Sequence, residues 1–372
     1  MNLSYWEHTS WLSTIDYTIV GSGIVGLNCA LRLRELYPKA KILVLEKGML
    51  PQGASTKNAG FACFGSLSEI LDDLKSHEEK EVVSLVKQRI SGLKLLRNIV
   101  GDTALDYKEW GGYELFTDQD EALYQDCLQH IERINTLLYP VFNAPVYSIK
   151  DNSFGFNHIQ DKYIYNAFEG QIDTGKMMES LLKLAISKEI KILNNVVVSG
   201  YEEKDDYVQI TTNTFQLDSK KLLIATNGFA SQLGFKEVQP ARAQVLITKP
   251  IPNLEIKGTF HLDKGYYYFR NINNRVLFGG GRNLDFATEE TTELGQTELV
   301  QQELERLLRE VILPDTPFKI DRRWSGIMGV GKQKKPIVQS ISAHVCIGVR
   351  LGGMGVAIGS QIGRDLASLV SD

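Results

Sequence analysis

The sequence predicts an α/β protein in which a discontinuous nucleotide-binding domain is combined with an inserted α+β domain that has a mainly antiparallel sheet. Three observations predict this architecture. The N-terminal region begins with a strand whose β-branched residues are typical of a buried strand. A glycine-rich turn, a helix and a second strand follow it. After residue 240 the chain changes to short aromatic-rich strands separated by turns. At the C-terminal end a strand, a glycine-rich turn and a helix recur, which is typical of a chain that returns to its first domain.

The N-terminal unit has the pattern of a strand, a helix and a second strand. Residues 16–20 are a β-branched run that ends at Gly21, as expected for a buried parallel strand. Residues 24–37 have helical spacing and stop at Pro38, and residues 41–45 form the second strand. A right-handed crossover is expected for such a unit.

The other predicted elements divide the chain between the two domains. Helices are predicted at residues 78–100, 118–138, 175–188 and 294–311, and strands at 112–116, 191–198, 207–212, 221–225, 244–248, 265–270 and 275–278. We assign residues 1–85, 168–238 and 322–372 to the nucleotide-binding domain and residues 86–167 and 239–321 to the inserted domain, which would bind the substrate.

Composition excludes several classes of protein. The net charge of −4 and the pI near 6.0 argue against a broad nucleic-acid-binding surface. The 4 cysteines and 6 histidines are scattered without the spacing of a metal site, so no metal is expected. The sequence shows no secretory signal and no apolar run that would span a membrane, so we expect a cytoplasmic protein with free thiols.

The turn after the first strand, GSGIVG, predicts a dinucleotide site. Gly21 permits the tight turn, Gly23 lets the backbone approach a pyrophosphate, and Gly26 lets the helix pack closely on the strand. The free N–H groups at the helix N-terminus favour a bound anion. Glu46 ends the second strand, where a carboxylate accepts hydrogen bonds from an adenosine ribose.

The stretch GASTKNAGFACFGS follows the second strand and has no clear helix or strand period. Its many small residues predict that a flat, anionic group lies against the backbone. The Ser55 and Thr56 hydroxyl groups are candidates to bond phosphate oxygens. Asn58, Ala59 and Gly60 are candidates to pass close to a flat ring.

With these motifs the chain resembles the D-amino-acid-oxidase-like group of FAD-dependent oxidoreductases, which includes glycine oxidase and sarcosine oxidase. The resemblance covers nearly the whole chain through the stretches DYTIVGSGIVG, GASTKNAG, GQIDTGKMMESLL, KLLIATNGFA, GYYYFR, VLFGGGR and VRLGGMGVAIGSQIG. It implies a Rossmann-like FAD-binding domain of the glutathione-reductase type. It also implies oxidation of a C–N bond of a small amine or amino acid by hydride transfer to the flavin, after which the imine is hydrolysed.

The resemblance also implies which residues hold FAD. Gly21, Gly23, Gly26 and Glu46 would hold the ADP half, with Lys47 beside them. The other implied cofactor residues are Ser55, Thr56, Asn58, Ala59, Gly60, Val198, Ala225, Gly228, Gly352, Gly353, Met354, Gly355 and Val356. Within this set, the Val198 backbone would meet adenine. Backbone N–H groups of residues 352–356 would stabilise negative charge on the reduced flavin ring.

The chain departs from the family pattern at the substrate carboxylate. Relatives that act on amino acids use an arginine there, whereas this chain has Met328 at that position. Arg270 is our replacement candidate, and the alternative is that it is a surface or interdomain arginine with a carboxylate partner. Tyr268 shares its strand face and would contribute to an aromatic wall facing the flavin.

The electron acceptor stays open at this point. Sarcosine oxidase uses a lysine near the flavin to promote its reaction with oxygen, and here Lys57 and Lys332 are the candidates. Relatives that bind FAD covalently use a histidine or a cysteine, but the corresponding segments offer Lys57 and no cysteine between Asp321 and Lys335, so noncovalent FAD is expected. Two alternatives remain: a flavin dehydrogenase of an amine or a 2-hydroxy acid with another acceptor, and a FAD-binding protein that has lost catalysis.

Overall fold

The computed structural model of the chain describes residues 2–370, and within this range the strands form two eight-stranded sheets and one two-stranded sheet. The strands are β1 (Ile15–Val20), β2 (Ile42–Leu45), β3 (Phe61–Ala62), β4 (Gly112–Glu114), β5 (Tyr147–Asp151), β6 (Lys162–Asn166), β7 (Gly170–Gln171), β8 (Lys191–Leu193), β9 (Val198–Glu203), β10 (Val208–Thr212), β11 (Gln216–Ile224), β12 (Gln239–Thr248), β13 (Thr259–Leu262), β14 (Tyr267–Ile272), β15 (Arg275–Gly280), β16 (Ile320–Val330), β17 (Ile337–Ser340) and β18 (Val345–Val349). The helices are α1 (Tyr5–Glu7), α2 (Ile24–Leu36), α3 (Ala54–Lys57), α4 (Leu67–Asp73), α5 (Glu79–Val100), α6 (Asp102–Leu105), α7 (Glu121–Phe142), α8 (Thr174–Ser187), α9 (Phe286–Glu289), α10 (Glu298–Leu307) and α11 (Gly355–Ser368). No helix within residues 2–370 is long and apolar enough to cross a membrane.

The first sheet is the predicted nucleotide-binding sheet. Its strand order is β17-β18-β11-β1-β2-β8, and β10 and β9 extend it from β11. The strands β18, β11, β1, β2 and β8 are parallel, so their carboxyl ends meet at one edge of the sheet. Helix α11 packs against both α2 and α5, which buries one face of the sheet beneath apolar side chains. The predicted α/β class is confirmed, and this edge is where such sheets bind nucleotides.

The second sheet has the strand order β16-β12-β15-β14-β13-β4-β6-β5. All its pairs are antiparallel except β13 with β4, which agrees with the predicted mainly antiparallel sheet. An aromatic core fills one face, where the Phe260 and Phe269 rings stack with centroids 4.5 Å apart. Helix α10 packs on β12 and β15 and covers part of this sheet.

Several predicted elements differ in extent from those observed. The helix predicted at 118–138 begins with a 3₁₀ turn and continues through Pro140 to Phe142. The chain leaves the helix at Asn143, which has a φ of 55°. The strand predicted at 191–198 is two strands, β8 and β9, interrupted where Asn195 has a φ of 59°. The GASTKNAG stretch contains the one-turn helix α3.

The division into two domains stays a prediction. Strand β16 pairs with β12 along its length, so the boundary predicted at residue 322 falls inside a strand of the second sheet. Residues 1 and 371–372, which were included in the predicted nucleotide-binding domain, lie outside the described residues.

Candidate active site

A cavity of about 540 Å³ lies between the carboxyl edge of the first sheet and the face of the second. The first sheet contributes the ends of β1 and β2, Ala225 directly after β11, and the start of β9. The second contributes parts of β12, β14 and β16. Loops that follow β2 and β18 complete the wall, so one continuous space joins the predicted dinucleotide site to the predicted substrate site.

The glycine-rich turn forms the floor of one end. Gly21 has a φ of 103°, and a Cβ atom there would lie 2.9 Å from the Ala225 carbonyl oxygen. A Cβ atom on Gly26 would lie 1.9 Å from the Gly21 carbonyl oxygen, so helix α2 can pack this closely only without a side chain. At the start of α2 the Ser55 hydroxyl oxygen accepts a hydrogen bond of 2.9 Å from the Ile24 N–H. This places Ser55 at the helix N-terminus, as the predicted phosphate contact requires.

Glu46 is held rigidly beside that turn. Its Oε2 accepts hydrogen bonds from the Ser22 N–H at 3.0 Å and the Ser22 hydroxyl at 2.8 Å, and its Oε1 accepts one from the Gly48 N–H at 3.0 Å. Glu46 is buried but lines the cavity. Next to it, the Lys47 ammonium lies 3.1 Å from the centroid of the Phe229 ring, where burial lowers its pKa. Val198 and Ala225 line the same end.

The backbone of residues 58–60 lies along the middle of the cavity. The Gly60 N–H donates to Asn58 Oδ1 at 2.8 Å, and the Thr174 hydroxyl donates to the same oxygen at 2.9 Å. The Gly60 carbonyl accepts from the Ile172 N–H at 2.9 Å. The segment is therefore fixed on its far side and presents Asn58, Ala59 and Gly60 to the cavity.

The C-terminal glycine-rich loop closes the cavity from the opposite side. Gly352, Gly353, Met354, Gly355 and Val356 all line it, at the start of helix α11. A Cβ atom built on Gly353 would meet no protein atom within 4 Å. The bare backbone at this helix start therefore faces open space inside the cavity.

Four residues that the sequence assigned to FAD or to the substrate carboxylate do not line the cavity: Gly26, Thr56, Gly228 and Arg270. Gly26 packs beneath the turn. The Thr56 hydroxyl donates to the Pro51 carbonyl at 2.7 Å, which turns it away from the cavity. A Cβ atom on Gly228 would lie 2.4 Å from the Met328 carbonyl oxygen, so this glycine permits close packing on β16.

Arg270 is buried behind the site and has no carboxylate partner among the described residues. Its guanidinium donates to the backbone carbonyl of Ala59, to that of Ile172 at 2.9 Å and to that of Asn271 at 3.2 Å. Burial lowers its pKa to about 10, so it stays charged at neutral pH. Ala59 separates Arg270 from the cavity. The guanidinium that was predicted to bind the substrate carboxylate is bonded to backbone carbonyl groups instead. The ion pair with a carboxylate, which was the alternative, is not formed either.

The other end of the cavity has an aromatic wall. The Phe61 ring packs edge-on against Tyr268, at 5.6 Å between centroids, and against His261 at 5.2 Å. Burial raises the pKa of Tyr268 to about 12, so its hydroxyl is protonated at neutral pH. Lys57 and Met328 also line the cavity, whereas Lys332 is exposed and does not.

A comparison with protein families agrees with a dinucleotide site at the glycine-rich turn. The family model described as FAD dependent oxidoreductase matches residues 16–369. The chain belongs to the FAD-dependent oxidoreductase family. The resemblance read from the sequence is thereby confirmed, and FAD is the cofactor of this family.

Solved structures share the fold of the oxidoreductase. Glycine oxidase from Geobacillus kaustophilus superposes with a TM-score of 0.75 at 19% identity, covering 95% of this chain and 94% of its own. Iminodiacetate oxidase from Chelativorans sp. BNC1 has a TM-score of 0.75 at 20% identity, covering 95% of both chains. L-proline dehydrogenase from P. horikoshii has a TM-score of 0.73 at 17% identity, covering 96% of this chain and 93% of its own. No curated protein matches the chain by sequence.

The residues of the oxidoreductase fit FAD where the motifs predict it. The cavity continues from the glycine turn, where the Ser55 hydroxyl group lies at the start of α2, to the bare backbone at the start of α11. The absence of any protein atom near a Cβ on Gly353 leaves clearance for a flat group. No cluster of three or more metal-ligating side chains occurs within residues 2–370.

A buried ion pair supports the aromatic wall of the oxidoreductase, and the sequence did not single it out. His261 Nε2 lies 2.9 Å from Glu169 Oε2, which also accepts from the Thr259 hydroxyl at 2.9 Å. Burial alone would lower the pKa of His261, but the charge of Glu169 and the hydrogen bond outweigh burial and raise it to about 9. The imidazolium is therefore the form present at neutral pH.

This pair predicts a pH dependence of stability. The folded state holds the His261 proton up to a pKa of about 9, whereas an unfolded histidine releases it near about 6.5. The stabilisation is thus complete below about pH 6.5 and is lost as the pH rises through about 9. We expect the free energy of unfolding of the native oxidoreductase to fall by about 2–3 kcal/mol more than that of His261→Gln between about pH 7 and pH 9.5 in urea titrations. Parallel pH curves for the two proteins would contradict the assigned charge state.

Proposed function

We propose that this FAD-dependent oxidoreductase binds FAD noncovalently along the cavity and oxidises a C–N bond of a small amine or amino acid. The observation that carries the proposal is the continuity of the cavity, which joins the dinucleotide end at Gly21 to the aromatic wall at Tyr268. FAD held there would supply the hydride acceptor for oxidation of the carbon that bears the amine, and water would hydrolyse the resulting imine.

The cofactor assignment follows the residues that line the cavity. The turn at Gly21 and Gly23 with Glu46 would hold the ADP half, as in other dinucleotide sites. Residues 58–60 and 352–356 would lie against the flavin, where the backbone N–H groups at the start of α11 stabilise negative charge on the ring. Cys63 is the cysteine that lines the cavity within the described residues, and burial raises the pKa of its thiol well above the usual range. A protonated thiol is a poor nucleophile, which favours noncovalent FAD.

The substrate assignment rests on the aromatic wall. Phe61 and Tyr268 provide a surrounding of low polarity at this end. Low polarity disfavours an ammonium ion and so favours the neutral amine, which is the form that can release a hydride from the adjacent carbon. Glycine oxidase, iminodiacetate oxidase and L-proline dehydrogenase, which share the fold, are named for substrates that contain a C–N bond.

Lys57 is our candidate for the group that promotes reaction of the reduced cofactor with oxygen. It lines the cavity and has no carboxylate within 4.0 Å among the described residues. The Lys57 backbone is fixed because its carbonyl accepts a hydrogen bond of 2.9 Å from the Trp324 indole N–H. A cation without a partner is suited to stabilise the anion that forms when oxygen accepts an electron.

The proposal is tested by mixing the purified holoprotein, without oxygen, with primary and secondary amino acids, simple amines and 2-hydroxy acids. We expect the visible flavin absorption to disappear with at least one amine or amino acid, with an oxo product and ammonia or an amine formed in equal amount. Return of the absorption in air identifies oxygen as the acceptor, and its return only with a quinone dye identifies a dehydrogenase. Bleaching by hydroxy acids alone, or by no compound of the panel, contradicts the proposal. Release of free FAD on acid precipitation checks the noncovalent bond.

A further inference from the structure

Arg89 is a buried arginine that faces the cavity and has no anionic partner. It is 5% exposed and lines the cavity. Its Nη1 donates to the Phe64 carbonyl at 2.6 Å, and its Nε is buried with no hydrogen-bond partner. Among the described residues, no carboxylate lies within 4.0 Å of the Arg89 guanidinium. The carboxylates of the cavity wall that form ion pairs do so with Lys264 and Lys334. The buried Nε atom is closed off from the cavity, but Nη2 makes no hydrogen bond with the described residues and is not fully buried. Nη2 is therefore the donor left for a group that the protein does not supply.

Helix α5 fixes this position. Its buried stripe contains Val82, Val86, Arg89, Leu93 and Leu96, which repeat at alternating intervals of four and three residues. Arg89 thus occupies a position where the helix otherwise buries an aliphatic side chain. Burying a guanidinium without a counter-ion costs free energy, so an anion that enters the cavity would be bound favourably.

Three lysines of the cavity already have partners. Lys264 lies 3.9 Å from Asp72, and Lys334 forms an ion pair with Asp73. Lys47 lies over an aromatic ring at the dinucleotide end. Among the lysines and arginines that line the cavity, Arg89 is the one that is fully buried within the described chain.

Arg89 also lies on the part of α5 that packs against the start of α11. A Cβ atom on Gly92, three residues further along α5, would lie 2.3 Å from the carbonyl oxygen of Ala357, in the first turn of α11. A Cβ atom on Gly65 would lie 3.3 Å from Arg89 Nη1. The guanidinium is therefore between the start of α11, where we place the flavin, and the loop that leads into α4.

We propose that Arg89 binds the carboxylate of the substrate, so that the substrate of this enzyme is an amino acid and not a simple amine. This proposal rests on the proposed function and names its substrate class. A guanidinium offers a planar pair of donors that matches a carboxylate, and such charge-assisted hydrogen bonds are strong in a buried site. Arg89 takes this role from a helix of the cavity wall, since Met328 is apolar and Arg270 is engaged with backbone carbonyls.

The test compares two probes of equal shape in the FAD-loaded protein. Benzoate and benzamide have nearly the same shape, but benzoate carries a negative charge with two acceptor oxygens and benzamide is neutral with one. Binding of either is followed by the perturbation of the visible flavin spectrum. We expect benzoate to bind the native protein more tightly than benzamide. In Arg89→Met, benzoate should bind about 10- to 100-fold more weakly while benzamide is unchanged. Arg89→Lys, which keeps the charge, should recover part of the difference.

The matched control is Arg97→Met, on the same helix, because Arg97 is more exposed and pairs with Asp102 at 2.7 Å. It should leave the affinity for both probes unchanged. Equal weakening of benzoate and benzamide in Arg89→Met would overturn the proposal. An unchanged benzoate affinity together with a shifted reduction potential would overturn it too and would place Arg89 against FAD instead. Since neither probe is oxidised, this result is independent of whether any amine bleaches the flavin.

Discussion

Replacing Arg270 by methionine is expected to lower the free energy of unfolding by about 2–5 kcal/mol, although the change removes a buried charge. The guanidinium is 2% exposed, and the Ala59 and Ile172 carbonyl groups have it as their hydrogen-bond donor. Methionine fills much of the volume but donates nothing. Each buried carbonyl left without a donor costs about 1–3 kcal/mol. Urea unfolding of the apoprotein measures this loss without any contribution from FAD.

The same substitution is expected to loosen FAD binding, because Arg270 joins the segment at Ala59 to the segment at Ile172. A Cβ atom on Gly60 would lie 2.7 Å from Arg270 Nη2, which shows how closely the cavity-lining backbone is packed on the guanidinium. Loss of that support frees the loop that we place against the flavin. Arg270→Lys should have an intermediate FAD affinity, since one ammonium group cannot donate to the Ala59 and Ile172 carbonyl groups at the same time.

Arg275→Met is the matched control for Arg270→Met. Arg275 lies on the neighbouring strand β15 and forms a partly exposed ion pair with Asp321 at 2.6 Å. Its loss should cost about 1 kcal/mol or less. If Arg270→Met were as stable as the control and lost only its affinity for carboxylates, then Arg270 would be the substrate clamp and our account of it as a structural residue would be wrong.

Arg270 shows why the sequence predicted the cofactor end better than the substrate end. The alternation along β14 correctly places Tyr268 and Arg270 on one face of the strand. Alternation says nothing about which other segment covers that face. The loop at Ala59 comes from 211 residues earlier in the chain and covers Arg270 but leaves Tyr268 open. The dinucleotide turn was predictable because its strand, turn and helix are local in sequence.

The sequence around Arg89 does contain a signal for a buried charge. Four of five residues at alternating intervals of four and three in α5 are aliphatic, and the fifth is an arginine. A charged residue in the apolar stripe of an amphipathic helix is an exception that needs a buried partner or a ligand. Whether the stripe faces a cavity or closed core depends on the packing of α5 against α11, which periodicity does not contain. The pair of His261 with Glu169 joins strand β13 to a loop 92 residues away and has no local signal.

Gly353→Val is expected to weaken FAD binding by about 10- to 100-fold and to leave the stability of the apoprotein unchanged. No protein atom lies within 4 Å of a Cβ atom on Gly353, and this residue does not have a positive φ, so valine causes no clash with the protein and needs no left-handed backbone. A side chain there would project into the cavity that we assign to the flavin. Overpacking of a close contact costs about 1–3 kcal/mol, which corresponds to this range of affinity.

Gly200→Val makes this test specific. A Cβ atom on Gly200 likewise meets no protein atom within 4 Å, and its φ is not positive, but it lies on strand β9 and does not line the cavity. Both variants add the same side chain to open space, so their apoproteins should unfold at similar urea concentrations. FAD content after purification, and FAD affinity measured by flavin fluorescence, should fall only in Gly353→Val. Equal FAD affinity in the two variants would show that the flavin does not lie against the start of α11, because the space beside Gly353 would then be filled without consequence for the cofactor.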